Sequence, residues 1–403
     1  MLDRGTSAKN WEPRTSKTST VFSYAILLGG AITIGVAVYM VMVSYSILPF
    51  WDGWMQIGVV ARGENPLSVA WLWKQYDVHR VVIPKLFLLV DLRWFRATQV
   101  FLLVCNLLIQ FLHLLLWGWS MRVLGGWRGA LWRTGVGLVA FCMFCCSQWM
   151  SFVQGFQISS LLPGLFATLS FVGLLLYWVH CGHQSNQGAC WKYLLLSIAA
   201  ALGATYSQSN GNLLWPLLVG AALLLRLRRA AVLSFAIAGI VNIAAYLYKY
   251  THPAPSILSS LETPVPSLKY LAAYFGSPWV RSNIRTAELI GIVGVIAFLI
   301  ALPRLPFYVR ARRPLHVLLA LTLLFCFGTG LLTALKRINF GTVQAFSSRY
   351  QTVSLLFWCC MALLLLSKLS SLSKFHLLAR IIHEGTESGS LGGVCALRMV
   401  VAA

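Results

Sequence analysis

The part of this chain best equipped for chemistry begins where the first long apolar run ends, at Pro49-Phe50-Trp51-Asp52-Gly53-Trp54. A carboxylate among aromatic rings loses hydration, a cost that points to a task for Asp52. The stretch from 49 to 82 adds Glu64, Asp77, His79 and Arg80. Asp52 and Asp77 are of the type that accepts a proton or holds a metal, and Arg80 of the type that grips a phosphate. His79 can move a proton or only orient the loop. Glu64, between Gly63 and Asn65, reads as part of a turn. The bland alternative is a solvated loop whose Trp51, Trp54, Trp71 and Trp73 sit at lipid-headgroup level.

A second constellation lies near the other end of the chain, in Arg337-Ile-Asn339-Phe-Gly341-Thr-Val-Gln344-Ala-Phe-Ser347-Ser348-Arg349-Tyr350. Arg337, Arg349 and Tyr350, with Lys336 beside them, offer cations to a lipid phosphate; the competing reading is that Lys336 and Arg349 only snorkel to headgroups. A third set is rich in amides and hydroxyls: Gln148, Gln154 and Gln157, then Ser207, Gln208, Ser209, Asn210 and Asn212. Gln157 and Asn210 are its candidates for binding sugar hydroxyls, although capping and interhelical hydrogen bonds use the same types.

The cysteines point to no disulfide framework. Cys105, Cys142, Cys145, Cys146, Cys326, Cys359 and Cys360 fall in apolar runs, where thiols pack as small apolar groups. Cys142-x-x-Cys145-Cys146 has no second cluster to complete a metal site. His180, Cys181, His183 and Cys190 have zinc-like types at irregular spacing. No metal site is expected; a divalent ion is possible but nothing in the sequence indicates one.

The elements that must position these groups follow from composition. Of 403 residues, 58% are hydrophobic and 10% charged, and the mean hydropathy is +0.75; a soluble domain could not hide that much apolar surface. The expected fold is an all-α polytopic membrane protein of about ten transmembrane helices. The apolar runs cover about 24–48, 97–119, 134–153, 158–179, 193–207, 211–225, 231–249, 286–302, 316–335 and 351–367. The runs at 193–207 and 211–225 are the least regular, and a helical hairpin or partly re-entrant pair would suit them. Residues 82–91 are too few to span and predict an interfacial helix in the first external loop, with Lys85, Asp91 and Arg93 at its polar edge.

The net charge of +22 would suit nucleic acid, but its 32 Lys and Arg are dispersed over short loops and no nucleic-acid signature accompanies them. Cationic loops stay on the cytoplasmic side of a bilayer. With both termini cytoplasmic, the clusters Arg4–Lys17, Arg122–Arg133, Arg226–Arg229 and Arg304–Arg313 all lie inside. Asp52, Glu64, Asp77, Asp91, Glu262 and Glu288 then fall in or beside external loops at 49–96, 250–285 and 336–350. The polar stretch before the first run marks a retained helix and not a cleaved signal. The division is an N-terminal tail (1–20), a transmembrane domain (21–367) and a C-terminal tail (368–403), loosely ordered around its Gly-Ser run at 388–393.

An Asp at the end of the first helix, a His-Arg pair in a long first external loop and an Arg-Tyr in the last one together resemble the C-type glycosyltransferase superfold, GT-C. Trp51-Asp52-x-Trp54, Asp77-Val-His79-Arg80, Gly155-Phe156-Gln157-Ile158 and Asn339-Phe-Gly341 through Ser348-Arg349-Tyr350 are similar to bacterial membrane proteins of this kind over most of residues 20–367. The resemblance implies a GT-C-like domain in a bacterial cytoplasmic (inner) membrane. It also implies a polyprenyl-phosphate-linked sugar as donor, a glycan, lipid or protein of the cell envelope as acceptor, and Asp52 as the acidic residue that aids the acceptor. Members often place a further His, an Asn and a Glu before the His-Arg pair, where this chain has Tyr76, Asp77 and Val78. The carboxylate expected at 78 is absent, which leaves Asp77 as its substitute and puts a metal role in doubt.

The expected activity is sugar transfer on the external face by inverting displacement. Asp52 is the base, Asp77 and His79 its catalytic neighbours, and Arg80, Arg337, Arg349, Tyr350, Gln157 and Asn210 hold substrate. Arg80 and Arg349 are expected to address one phosphate. A transporter or lipid flippase is the alternative from another class, as is a non-catalytic protein of envelope assembly. A carrier should place ionisable groups near the membrane midplane, whereas here the carboxylates gather at one face.

Overall fold

A backbone in hydrocarbon must satisfy its own hydrogen bonds, and the helix does so within one segment. The computed structural model describes residues 17–50, 52–181, 190–251 and 264–387, and it is helical throughout. In chain order the helices are α1 (Lys17–Val43), α2 (Asp52–Ala61), α3 (Val69–Trp73), α4 (Val82–Trp94), α5 (Val100–Val123), α6 (Gly129–Met143), α7 (Trp149–Val153) and α8 (Ile158–Cys181). After these come α9 (Trp191–Thr205), α10 (Leu214–Leu224), α11 (Arg229–Leu247), α12 (Pro264–Gly276), α13 (Ile284–Ala301), α14 (Leu305–Arg310), α15 (Pro314–Arg337) and α16 (Gln351–Glu387). Among the described residues there is no strand. Of the expected features, Arg4, Lys9, Arg14, Trp51, His183, Glu262 and the run at 388–393 lie outside the described residues.

Among the described residues eight helical stretches, not ten, are long and apolar enough to cross a membrane, and the protein is a multi-pass membrane protein. The two expected spans that fall short are α9, of 15 residues, and α10, of 11. The polar run from Tyr206 to Asn212 ends α9, and the chain reverses through a 3-10 turn at Ser209–Leu213. Gly211 there lies against the backbone of Ala204 and Thr205, where no Cβ fits. At the C-terminus α16 continues to Glu387, well past the expected boundary at 367.

The span containing α8 is the centre of the bundle, with 78% of an apolar 18-residue stretch buried, whereas the matching stretch of α1 is 11% buried and α1 meets the rest mainly through α6. Small residues set the closest crossings. Gly30 of α1 faces the backbone of Gly137 in α6, and Gly137 faces that of Ile26. In the antiparallel pair α12 and α13, Gly276 abuts Ala287 and Gly291 abuts Ala272, two reciprocal small-xxx-small contacts.

A helix is present at the place of the expected interfacial one, as α4, but its charges are not at a polar edge. Lys85 and Asp91 are buried and only Arg93 is exposed. The reason is a helix end that needs donors: Lys85 Nζ donates to the carbonyls of Trp71 (2.8 Å) and Lys74 (2.7 Å) at the close of α3. Burial draws its ammonium down to about 8. Asp91 accepts from the backbone N–H of Gln99 at 3.2 Å, fixing the turn into α5.

A further correction concerns the cysteines. The hairpin of α8 and α9 brings Cys181 and Cys190 to a Cα separation of 5.9 Å, and they are disulfide-bonded. A disulfide persists in an oxidising compartment, yet this end of the bundle also carries the arginine clusters that the positive-inside rule keeps in the cytosol.

Two measurements follow. If the arginine-rich end is cytosolic, acid-quenched cells should yield Cys181 and Cys190 as thiols that alkylate before any reductant is added; a pair that reacts only after reduction would reverse the orientation. Gly291→Val is expected to lower the thermal unfolding temperature in detergent, at a cost of about 1–3 kcal/mol or more from overpacking. Gly35→Val, where nothing lies within 4 Å of an added Cβ, should leave it unchanged.

Candidate functional site

Residues from widely separated parts of the chain converge on a cavity of about 650 Å³ at the end of the bundle away from the disulfide. Eight of the nine expected site residues line it: Asp52, Asp77, His79, Gln157, Asn210, Arg337, Arg349 and Tyr350. Arg80 does not.

Asp52 begins α2, where the positive end of the helix dipole favours a carboxylate. One of its oxygens accepts a 2.8 Å hydrogen bond from Tyr76 Oη. The other lies 3.6 Å from Arg349 Nη1. Burial first, then the hydrogen bond to Asp52 and its charge, push the Tyr76 phenol well above its ordinary value, so it acts as a donor.

Tyr76 and His79 close a two-residue reversal through mutual backbone hydrogen bonds of 2.8 Å. Asp77 at its corner has φ +49°, a left-handed conformation that aspartate tolerates better than most side chains. Its carboxylate pairs with Arg337 at 2.8 Å. Both groups are partly exposed, so the pair contributes mainly geometry.

Helix α11 clamps this reversal from outside. The Gln75 side chain bonds Thr251 at two backbone atoms, and Tyr250 Oη donates to the Val78 carbonyl at 3.0 Å. Arg80, expected to share a phosphate with Arg349, has its guanidinium engaged elsewhere. It is 2% exposed and donates to the carbonyls of Trp73 (2.5 Å), Tyr246 (2.6 Å) and Tyr248. Those carbonyls end α3 and α11, and satisfying them takes the fork of donors that a phosphate would have used.

His79 bridges to the tip of the α9–α10 hairpin. The Ser209 backbone N–H donates to His79 Nδ1 at 3.2 Å, and Ser209 Oγ lies 2.8 Å from the same nitrogen. A backbone N–H can only donate, so Nδ1 is the acceptor and the neutral ring carries its proton on Nε2. Burial holds the imidazole down to about 4, with Arg337 and Arg349 adding to the effect and Asp77 opposing it.

The C-terminal part of the chain enters through α15, whose C-terminal residues Lys336 and Arg337 reach the cavity, and through the 3-10 turn Ser348–Tyr350. That turn is pinned to the α6–α8 connection. Ser348 Oγ donates to the Ser147 carbonyl (2.9 Å) and accepts from Met150 N–H (3.1 Å), while Thr352 donates to Gln148 (2.8 Å). Behind it, Asn106 and Gln110 of α5 bond the carbonyls of Gln154 and Met143 at 2.9 Å each. Arg349 lies over the Tyr350 ring at 5.3 Å, and its buried Nε has no acceptor. Asn210 Oδ1 also lacks a donor. Both residues line the cavity, with these two atoms buried in its wall.

Of the amide set, Gln157, Gln208, Ser209 and Asn210 face the cavity, whereas Gln148 and Gln154 serve the scaffold. Glu64 pairs with exposed Lys74 at 2.8 Å, away from the site. Sequence reasoning missed Tyr76 as a partner of Asp52, along with Thr329 and Thr333, which face the cavity from α15 one turn apart. Their helical spacing before Lys336 and Arg337 was the available signal.

Among the described residues no three His, Cys, Asp or Glu side chains approach closely enough to hold a metal ion. Asp52 and Asp77 each face an arginine instead, a donor set that fits guanidinium and not a resident divalent cation. No family model matches this chain, and no curated protein or solved structure matches it.

The His79 environment generates its own test. Its ordinary value of 6.5 falls to about 4 on folding, so the unfolded chain binds more protons between those values. The stability that His79 contributes is complete above about 6.5 and is lost as the pH falls towards about 4. Imidazole nitrogen NMR on the folded protein should show a neutral Nε2–H ring at pH 7 and a midpoint near 4. A midpoint near 6.5, or an Nδ1–H tautomer, would rule out the arrangement with Ser209.

Proposed function

We propose that the protein is a membrane glycosyltransferase that moves a sugar from a polyprenyl-phosphate donor to a cell-envelope acceptor, by inverting displacement, at the end of the bundle bearing Asp52. The observation that carries this reading is the meeting of Asp52 and Arg349 at 3.6 Å in a cavity that also holds Arg337 and Lys336. The GT-C-like arrangement, the polyprenyl donor and the bacterial inner membrane rest on the resemblance of the short motifs.

The chemistry requires a base and a set of cations. The acceptor hydroxyl gives its proton to Asp52 as its oxygen bonds to the anomeric carbon. On the opposite side the bond from that carbon to the phosphate oxygen breaks, and the lipid phosphate leaves with the electron pair. Arg349, Arg337 and Lys336 stabilise the charge that builds there. Arg349 has a double role in this scheme. Before the donor arrives it faces Asp52; a bound phosphate competes for it and uncovers the carboxylate oxygen that the acceptor needs. Tyr76 holds the other oxygen, so the carboxylate keeps its orientation through the change. Gln157 and Asn210 offer amides to sugar hydroxyls, and the neutral His79 fixes the loop that carries Asp77.

Transport finds less support. A carrier places ionisable groups at mid-depth, whereas both carboxylates of this cavity lie outside the eight long helices.

Asp52→Asn preserves shape and hydrogen bonding but cannot take the proton. Sugar transfer from a polyprenyl-phosphate donor should fall by about a hundredfold or more, with expression unchanged. Asp77→Asn, which removes only the partner of Arg337, should cost less. Mass spectrometry of envelope glycans and lipid-linked intermediates in a deletion strain complemented with each variant reads both. Near-parental transfer by Asp52→Asn would end the assignment of the base.

A further inference from the structure

At the opposite end of the bundle lies a second cavity, of about 570 Å³, which the catalytic reading leaves without a use. Four arginines line it, Arg226, Arg228, Arg310 and Arg312. Among the described residues no carboxylate lines it, and none of the three ion pairs involves these arginines. Four cations converging without a counter-charge repel one another, an arrangement that an anion relieves.

The backbone contributes to the convergence. Arg226, just beyond α10, and Arg312, between α14 and α15, have φ of +53° and +48°. Left-handed conformations are costly for a side chain of this kind. Two in one cavity wall mark tight reversals that turn both arginines to the same space. The remaining wall is apolar, with Trp178, Leu224 and Val309 among its residues. A small inorganic anion would have no use for such a wall.

We propose that this cavity binds the phosphate of an anionic phospholipid, with the four guanidiniums on the headgroup and the apolar wall along the start of its acyl chains. Arginine is suited to the task because its planar fork matches phosphate oxygens in pairs. A basic pocket between helices at the membrane surface is a known form of lipid headgroup site. The lipid would then be held at a defined place and not only attracted by surface charge.

The test uses the full chain in neutral detergent, with native mass spectrometry reading bound lipid. Phosphatidylglycerol should be retained about tenfold or more over phosphatidylcholine. Arg228→Gln with Arg310→Gln should remove that preference. Both side chains are exposed, so folding is preserved, and tryptophan fluorescence melting confirms it. The matched double variant Arg122→Gln with Arg128→Gln removes the same charge from the same end of the bundle outside the cavity, and should retain the lipid. Equal retention of the two lipids, or equal loss in both double variants, would overturn the proposal. Displacement of the lipid by millimolar inorganic phosphate would assign the site to a water-soluble phosphate and overturn the lipid assignment.

Discussion

The buried guanidinium of Arg80 carries the arrangement of the candidate site. Carbonyls at the ends of α3 and α11 have no helical partner and little water, and Arg80 satisfies three of them at once. In doing so it ties the Tyr76–His79 reversal to α11, beside the contacts that Gln75 makes with Thr251 and Tyr250 with Val78. Lys85 does the same for the last turn of α3, so two buried cations support a polar corner in an otherwise apolar molecule. Losing either would remove side-chain donors from these helix ends, where, among the described residues, only the Trp71 carbonyl keeps a backbone donor in Lys74 N–H.

The rest of the site is held by a division of labour between engaged and unengaged groups. Gln148, Ser348 and Thr352 are engaged by protein partners, and the amide nitrogens of Asn106 and Gln110 donate to carbonyls although their oxygens find no donor, which ties the α6–α8 connection to the Ser348–Tyr350 turn. On that turn Arg349 keeps a donor in reserve. Asp52 faces Arg349 of the Ser348–Tyr350 turn, and Asp77 faces Arg337 at the end of α15. The two ends of the sequence are therefore joined across the cavity by charge pairs weak enough for a ligand to exchange.

Much of this was legible in the sequence, because it depends on residue type and on which face of the membrane a loop occupies. Apolar runs marked the long helices, and the polar groups between them pointed to eight residues that share the cavity. What stayed hidden depends on tertiary partners. Arg80 and Arg349 are chemically identical, and only the carbonyls of Trp73, Tyr246 and Tyr248 make the first a scaffold. Lys85 and Asp91 suit an exposed edge by composition, yet α3 and the turn into α5 needed a donor and an acceptor there. Tyr76 was invisible as a partner for Asp52 because a tyrosine in a loop has no pattern. Cys181 and Cys190 met through a hairpin whose loop length alone predicts neither distance nor bond. The shortness of α9 and α10 was partly visible in the run from Tyr206 to Asn212, since polar clusters end helices wherever they find turn geometry.

Helix α8 lines both cavities, with Ser159 and Ser160 at one end and Tyr177, Trp178 and Cys181 at the other. Its 24 residues make a rod about 36 Å long at ~1.5 Å per residue. A rod packed along its whole length cannot slide at one end alone. Any axial shift of α8 would displace part of both linings together, so the two chambers share one structural member.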